Sequence, residues 1–263
     1  MKVKVSHEVP IELLETSKTF NDYDYCLPHL LDRYPLYEQY FRQAKAEGRY
    51  IIMDNSLHEL GEAYDTKRLM HWVFELEPNE FIVPDVWENA NASVKNAKVW
   101  SAVTLPEGVE KVAVVQGKSY IDFATGYQRY KWLGYQKIAF SYGASWFQET
   151  FQHPNPYVAK MMGRLKTINN LYKNNVIGDY DRVHLLGCNL PQAFLYYKDF
   201  PFIESIDTSN PIIHGLKGMR YSEGGLLHKD KEKIDENFVQ PISKKQKEDI
   251  LHNVKMFRKI NQL

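Results

Sequence analysis

Arg49-Tyr50-Ile51-Ile52-Met53-Asp54-Asn55-Ser56 is a short apolar, β-branched run that stops on three polar residues, and the same figure returns along the chain. Glu80-Phe81-Ile82-Val83 runs into Pro84-Asp85, and Lys111-Val112-Ala113-Val114-Val115 runs into Gln116-Gly117-Lys118-Ser119. Asp54 and Asp85 are 31 residues apart, as are Asp85 and Gln116. Lys137-Ile138-Ala139-Phe140 then leads to Ser141-Tyr142-Gly143, Arg182-Val183-His184-Leu185-Leu186 to Gly187-Cys188-Asn189, and Phe202-Ile203-Glu204-Ser205-Ile206 to Asp207-Thr208-Ser209-Asn210-Pro211. Those intervals are uneven: 27 residues from Gln116 to Gly143, 44 to Gly187 and 20 to Asp207. Non-alternating runs of this length are the pattern of strands buried on both faces.

Helical signals fill the gaps. Leu36, Tyr37, Tyr40, Phe41 and Ala44 share a face before Gly48, Asp65 can cap a helix burying Leu69, Val73 and Leu76, and Ser119 can cap one that runs to Leu133 and ends at Gly134. Val158, Met161, Met162, Leu165, Ile168 and Tyr172 mark a longer helix, and Ile250, Val254, Phe257 and Ile260 mark a C-terminal one over about 244–262. A strand–helix unit of about 30 residues repeated eight times needs about 240 residues, and the chain has 263. The expected fold is therefore a (β/α)8 TIM-type α/β barrel, one domain over 1–263, with strand one near Asp22–Cys26 and strand eight around Ile212–His214. A doubly wound sheet is the alternative, but neither GxGxxG nor GxxxxGK[ST] occurs.

Composition excludes several classes. Apolar residues at 44% and charged residues at 25% are ordinary globular usage. No apolar run approaches the roughly 18–20 residues of a membrane span, so a cytoplasmic protein without a membrane partner is expected. Cys26 and Cys188 are too few for a disulfide framework and read as buried small residues. Lys and Arg balance Asp and Glu at 33 each, which excludes binding of nucleic acid by bulk charge alone. Aromatics reach 14%, mostly as core and rim, with a few available to stack on bases.

In a parallel barrel, chemistry sits where strands end, and there the sequence places Asp54, Asp85, Gln116, Gly143, Gly187 and Asp207. One such acid alone is commonly a helix cap or turn; their shared position is what distinguishes the set. The ordered segments Met53-Asp54-Asn55-Ser56, Pro84-Asp85, Val114-Val115-Gln116-Gly117, Ser141-Tyr142-Gly143, Leu185-Leu186-Gly187 and Ile206-Asp207 with Pro211 resemble the tRNA-guanine transglycosylase family over roughly residues 20–215. They are most similar to its short phage-encoded branch proposed to insert 7-deazaguanines into DNA.

The resemblance implies a pentosyltransferase that exchanges guanine through a covalent enzyme–sugar intermediate, without metal or redox cofactor. Asp207 matches the family nucleophile and Asp54 the acid/base. Asp85 would accept the ring N–H and exocyclic amine of the base, Gln116 and the Gly117 amide would serve its carbonyl, the backbone around Ser141–Gly143 would lie against the 7-substituent, and Tyr142 would stack or gate. The chain departs from the family in three places. No cysteine follows Cys188, so the structural zinc subdomain is absent; Asn55-Ser56 stands where a glycine pair is expected; and Lys118 follows Gln116-Gly117. These departures favour DNA over tRNA as polynucleotide partner, with a 7-deazaguanine base as co-substrate, and a duplex target would have to be flipped. If phage-encoded, the enzyme would work in the host cytoplasm; a homodimer or a phage or host protein partner stays open. A reduced tRNA enzyme, a non-catalytic nucleobase- or nucleic-acid-binding barrel subunit, and a small-glycoside hydrolase are the rival readings.

Other groups carry less. His58-Glu59 lacks the second histidine of HExxH because position 62 is Glu62, and His184 reads as a satisfied core histidine. Asp181 precedes its strand and Glu204 lies inside one. Lys217, Arg220, His228, Lys229, Lys231 and Lys233 follow Asp207, and Lys244, Lys245 and Lys247 open the last helix; Asp230, Glu232, Asp235 and Glu236 interleave them as in a solvated face. Lys118 and Arg220 are the candidate phosphate contacts.

Overall fold

A computed structural model describes residues 3–230, 233–234 and 238–263. Lys231, Glu232, Asp235 and Glu236 of the charged stretch lie outside the described residues. Eight strands, β1 (Lys4–Ser6), β2 (Asp24–Cys26), β3 (Ile51–Met53), β4 (Glu80–Ile82), β5 (Glu110–Val115), β6 (Lys137–Ser141), β7 (Arg182–Leu186) and β8 (Ile203–Asp207), form one sheet in the order β1-β8-β7-β6-β5-β4-β3-β2. From β2 to β8 strands adjacent in sequence are neighbours in the sheet, β1 neighbours β8, and helices alternate with strands: the fold is a (β/α)8 TIM-type barrel. None of its described helices is long and apolar enough to cross a membrane.

The strand count needs one correction. The strand expected first is β2, and the true first strand is Lys4–Ser6, which pairs in parallel with β8 through Val5 opposite Ile206 and Ser6 opposite Asp207. Asp207 therefore closes strand eight, and Ile212–His214 lies in the helix Asn210–Leu216. Pro211 at its first turn presets helical φ, and the Ile212-Ile213 doublet is buried within the helix, which mimics a buried strand in the sequence.

The chain packs as two compact units, Tyr23–Phe140 and Met1–Asp22 with Ser141–Leu263. In Tyr23–Phe140 the strands are buried on both faces, with Tyr25 opposite Ile52 and Val114 opposite Ala139. The helix Thr66–Leu76 starts where the Asp65 side chain accepts from the amides of Lys67 and Arg68, and it buries Leu69, Trp72, Val73 and Leu76. Ser119 caps Tyr120–Trp132 in the same way, and that helix lays Phe123 and Tyr127 against Phe140. Charges open the strands: Arg49 grips Asp24 at 2.5 Å, and Lys137 reaches a Glu80 carboxylate oxygen at 2.8 Å with both side chains buried.

In the other unit, Asn155 caps Pro156–Lys173, and Gly163 of that helix lets the turn Ser145–Thr150 pack close, since a Cβ there would lie 1.7 Å from the Phe147 carbonyl oxygen. A reciprocal Ser243–Gln246 capping box opens the C-terminal helix Lys244–Asn261, which buries Ile250, Val254 and Phe257. Tyr23, Tyr127, Tyr130, Tyr197 and Tyr221 are all buried, so much of the aromatic surplus is core.

Candidate active site

In Tyr23–Phe140 the site begins where β3 stops. The Asp54 amide continues the ladder to the Cys26 carbonyl at 2.8 Å. Its carboxylate then turns back on the chain: Oδ2 accepts from the Ser56 amide at 3.0 Å, and Oδ1 accepts from the Tyr25 hydroxyl at 3.1 Å. Ser56 takes φ 59°, the left-handed region, to make that turn, and its hydroxyl is 2.7 Å from His29 Nδ1. Asp54 is 9% exposed, and burial raises its pKa above the ordinary carboxylate value against the opposing hydrogen bonds.

Asp85, three residues beyond Ile82 at the end of β4, is clamped by amides. Asn55 Nδ2 donates to one carboxylate oxygen and Gln116 Nε2 to the other, each at 2.6 Å. Asn55 also donates to the Val83 carbonyl at 3.0 Å, and Gln116 Oε1 accepts from the Glu88 amide at 3.0 Å. Both donors are neutral, so they align the carboxylate without cancelling its charge. Burial dominates and pushes the Asp85 pKa up to about 6. The predicted base-contact residues Asp85 and Gln116 thus touch each other directly. Gly117 follows with no room for a side chain, because a Cβ would lie 2.3 Å from Asp122 Cβ. Lys118 is exposed and its ammonium sits 3.8 Å from Glu88.

In the second unit Asp207 ends β8 and is 5% exposed. His184 Nε2 lies 2.9 Å from Asp207 Oδ1, and His184 Nδ1 lies 2.8 Å from Ser205 Oγ. Tyr142 and Gly143 follow β6. The Tyr142 ring has the Lys229 ammonium 3.5 Å from its centroid, a cation–π contact, while its carbonyl accepts from Asn189 Nδ2 at 2.9 Å. Gly187, at φ 60°, meets the same ring: a Cβ would lie 2.3 Å from Tyr142 Cδ1. The Gly143 carbonyl accepts from Lys160 at 3.3 Å. Buried Arg164 fixes the end of β7 through the carbonyls of Leu186 and Gly187 at 3.2 and 3.0 Å. Arg220 is tied at 2.5 Å to Asp249, which also holds Lys245, so the guanidinium is anchored to the C-terminal helix.

The remaining sequence candidates fall into place. Glu204 pairs with Arg182 at 2.5 Å near the strand starts, and Asp181 accepts from the Gly178 amide at 2.9 Å. Both cysteines are buried, and burial raises their thiol pKa values, as fits packed and not nucleophilic residues. His184 is satisfied, as the sequence reading held, but its partner is the expected nucleophile. Asn55, read from sequence only as a departure from a glycine pair, is a clamp on Asp85. The signal for His184 was present: Ser205 and Asp207, two apart on one strand, share a face that a polar residue on the next strand can reach. Among the described residues no group of three or more His, Cys, Asp or Glu is arranged to hold a metal ion. Compared with known proteins, the chain matches no family model and no curated relative.

Proposed function

We propose that the chain is a base-exchange glycosyltransferase that replaces guanine in a polynucleotide, DNA in preference to tRNA, with a 7-deazaguanine. The observation that supports this most is the burial of three strand-end acids: Asp54, Asp85 and Asp207 are 9%, 4% and 5% exposed. Burying a carboxylate costs more than the roughly 2–7 kcal/mol of a neutral polar group left unpaired. Three such burials at strand ends fit groups kept for chemistry.

The roles follow from charge. Asp207 supplies the electron pair that attacks the anomeric carbon as the bond to guanine N9 breaks. Asp54, whose raised pKa favours holding a proton, gives that proton to the departing purine and takes one from the incoming base. Asp85, held by hydrogen bonds from Asn55 and Gln116, accepts from the N–H edge of the base, and the Gly117 amide donates to its carbonyl. The incoming base then attacks the sugar–Asp207 ester and the carboxylate is released. The reading is tested by incubating the protein with radiolabelled guanine and DNA or tRNA in parallel. Label in DNA is expected, and Asp207→Asn should abolish it with the melting temperature retained. Label in tRNA alone would transfer the reading to the reduced tRNA enzyme; incorporation into neither would reject base exchange.

A further inference from the structure

Asp207 is held by a second link beyond the hydrogen bond from His184. His184 stands opposite Ser205 in the β7–β8 register, and Ser205 and Asp207 share one face of β8. The ladder therefore lines up three side chains as Ser205 Oγ, 2.8 Å, His184, 2.9 Å, Asp207 Oδ1, and His184 and Ser205 are each 1% exposed. An ionised carboxylate only accepts, so His184 Nε2 carries a hydrogen toward it. In the neutral ring Ser205 donates to Nδ1; in the imidazolium Nδ1 donates to Ser205. The hydrogen faces Asp207 in both. This is not a hydrolase triad, in which the acid holds Nδ1 and an accessible hydroxyl faces Nε2: here the order is reversed and the serine is sealed within a strand.

We propose that His184, fixed by Ser205, is a positioning residue that makes Asp207 an effective leaving group in the second half of the exchange; this rests on the base-exchange reading above. In the first half a carboxylate electron pair forms the O–C1′ bond, the C1′–N9 bond breaks, and guanine leaves with a proton. In the second half the incoming base nitrogen bonds to C1′, its proton passes to the general base, and the O–C1′ pair returns to Asp207. A hydrogen bond to the carboxylate is strongest on the free anion, weaker in the transition state and weakest on the neutral ester. Losing it therefore raises the free carboxylate most and the ester least. The ester accumulates and its breakdown slows.

That gives a readout which misplacement of Asp207 does not share. Wild-type, His184→Phe, His184→Gln and Ser205→Ala proteins are mixed with labelled DNA or tRNA and guanine, quenched in detergent, and scored for turnover and for denaturant-stable protein–nucleic acid adduct. His184→Phe should lose about 10-fold in turnover while its adduct fraction rises. His184→Gln, whose amide reaches about as far as Nε2, should recover part of the turnover, and Ser205→Ala should shift both quantities in the same directions by less. Adduct and turnover falling together in His184→Phe would reduce the residue to packing. If that variant fails to fold, an unchanged adduct fraction in Ser205→Ala overturns the role. Wild-type protein that forms no adduct with either nucleic acid would overturn base exchange itself; wild-type adduct that Asp207→Asn loses, together with unresponsive His184 and Ser205 variants, would overturn the His184 role alone.

Discussion

Asp85 concentrates the conflict that a buried functional carboxylate has to solve. Two short amide hydrogen bonds favour its ionised form, yet burial outweighs them and holds its pKa at about 6. If Asp85 recognises the base by accepting N–H bonds, only the ionised form can do so. The kcat/KM of exchange should then climb through an acid limb centred near pH 6 and level off above it. Asp85→Asn presents a donor where an acceptor is needed; it should lose about 100-fold or more in kcat/KM and show no limb near pH 6. Asn55→Ala removes one neutral donor to the anion, so its limb should move to higher pH, and Gln116→Ala should do the same. A limb that stays in place in both variants would separate Asp85 from base recognition. The pH profile of steady-state exchange in the four proteins decides this.

Elements were legible from sequence to the extent that their causes are local. Asp65 and Ser119 announce their helices because a cap is a contact over two or three residues, and Asp54, Asp85, Gln116 and Asp207 were found at strand ends because an apolar run followed by a polar stop is contiguous. The first strand is not legible because Lys4-Val5-Ser6 is a strand through its pairing with β8, some 200 residues away, and Ile212-Ile213 reads as a strand although Pro211 sets it in a helix. His184 and Asn55 escaped as site residues for the same reason, since their partners Asp207 and Asp85 lie 23 and 30 residues along the chain. The first residues of β4 and β6 make a further long-range pair. Glu80 and Lys137 side chains are fully buried at 2.8 Å, and the Tyr50 hydroxyl donates to Glu80 at 2.5 Å. Desolvating both ions offsets much of their attraction, so the pair adds little net stability, while a lone survivor is costly. Lys137→Met should destabilise by about 3–5 kcal/mol and Lys137→Met with Glu80→Met by much less. Urea denaturation followed by circular dichroism measures both. A double variant no more stable than the single would mean that the pair itself, and not the abandoned charge, carries the stability.

At the scale of the whole molecule, four buried groups that bear on the acid range, His7 and His214 against Asp54 and Asp85, divide between the two compact units with opposite sign. His7, in Met1–Asp22 with Ser141–Leu263, donates from Nδ1 to the Thr208 carbonyl at 2.8 Å, and burial lowers its pKa from 6.5 to about 4; burial lowers that of His214, in the same unit, as well. Below pH 6.5 the unfolded chain takes up protons that the folded His7 refuses, so this unit loses stability as pH falls from 6.5 toward 4, by about 3 kcal/mol for His7. Asp54 and Asp85, in Tyr23–Phe140, have raised pKa values, so there the folded state holds protons that the unfolded chain has released. That contribution destabilises at neutral pH and fades as pH falls from about 6 toward 3.8, again by about 3 kcal/mol for Asp85. Acidification from pH 6.5 to 4.5 should therefore loosen one unit while sparing the other. Hydrogen exchange read peptide by peptide, corrected for intrinsic rates at each pH, should show protection falling in β1, β7 and β8 more than in β3, β4 and β5. His7→Asn, whose amide can still donate to the Thr208 carbonyl but does not titrate, should narrow the difference. Equal loss of protection in both sets of strands, unchanged by His7→Asn, would mean that these buried groups do not govern the acid response.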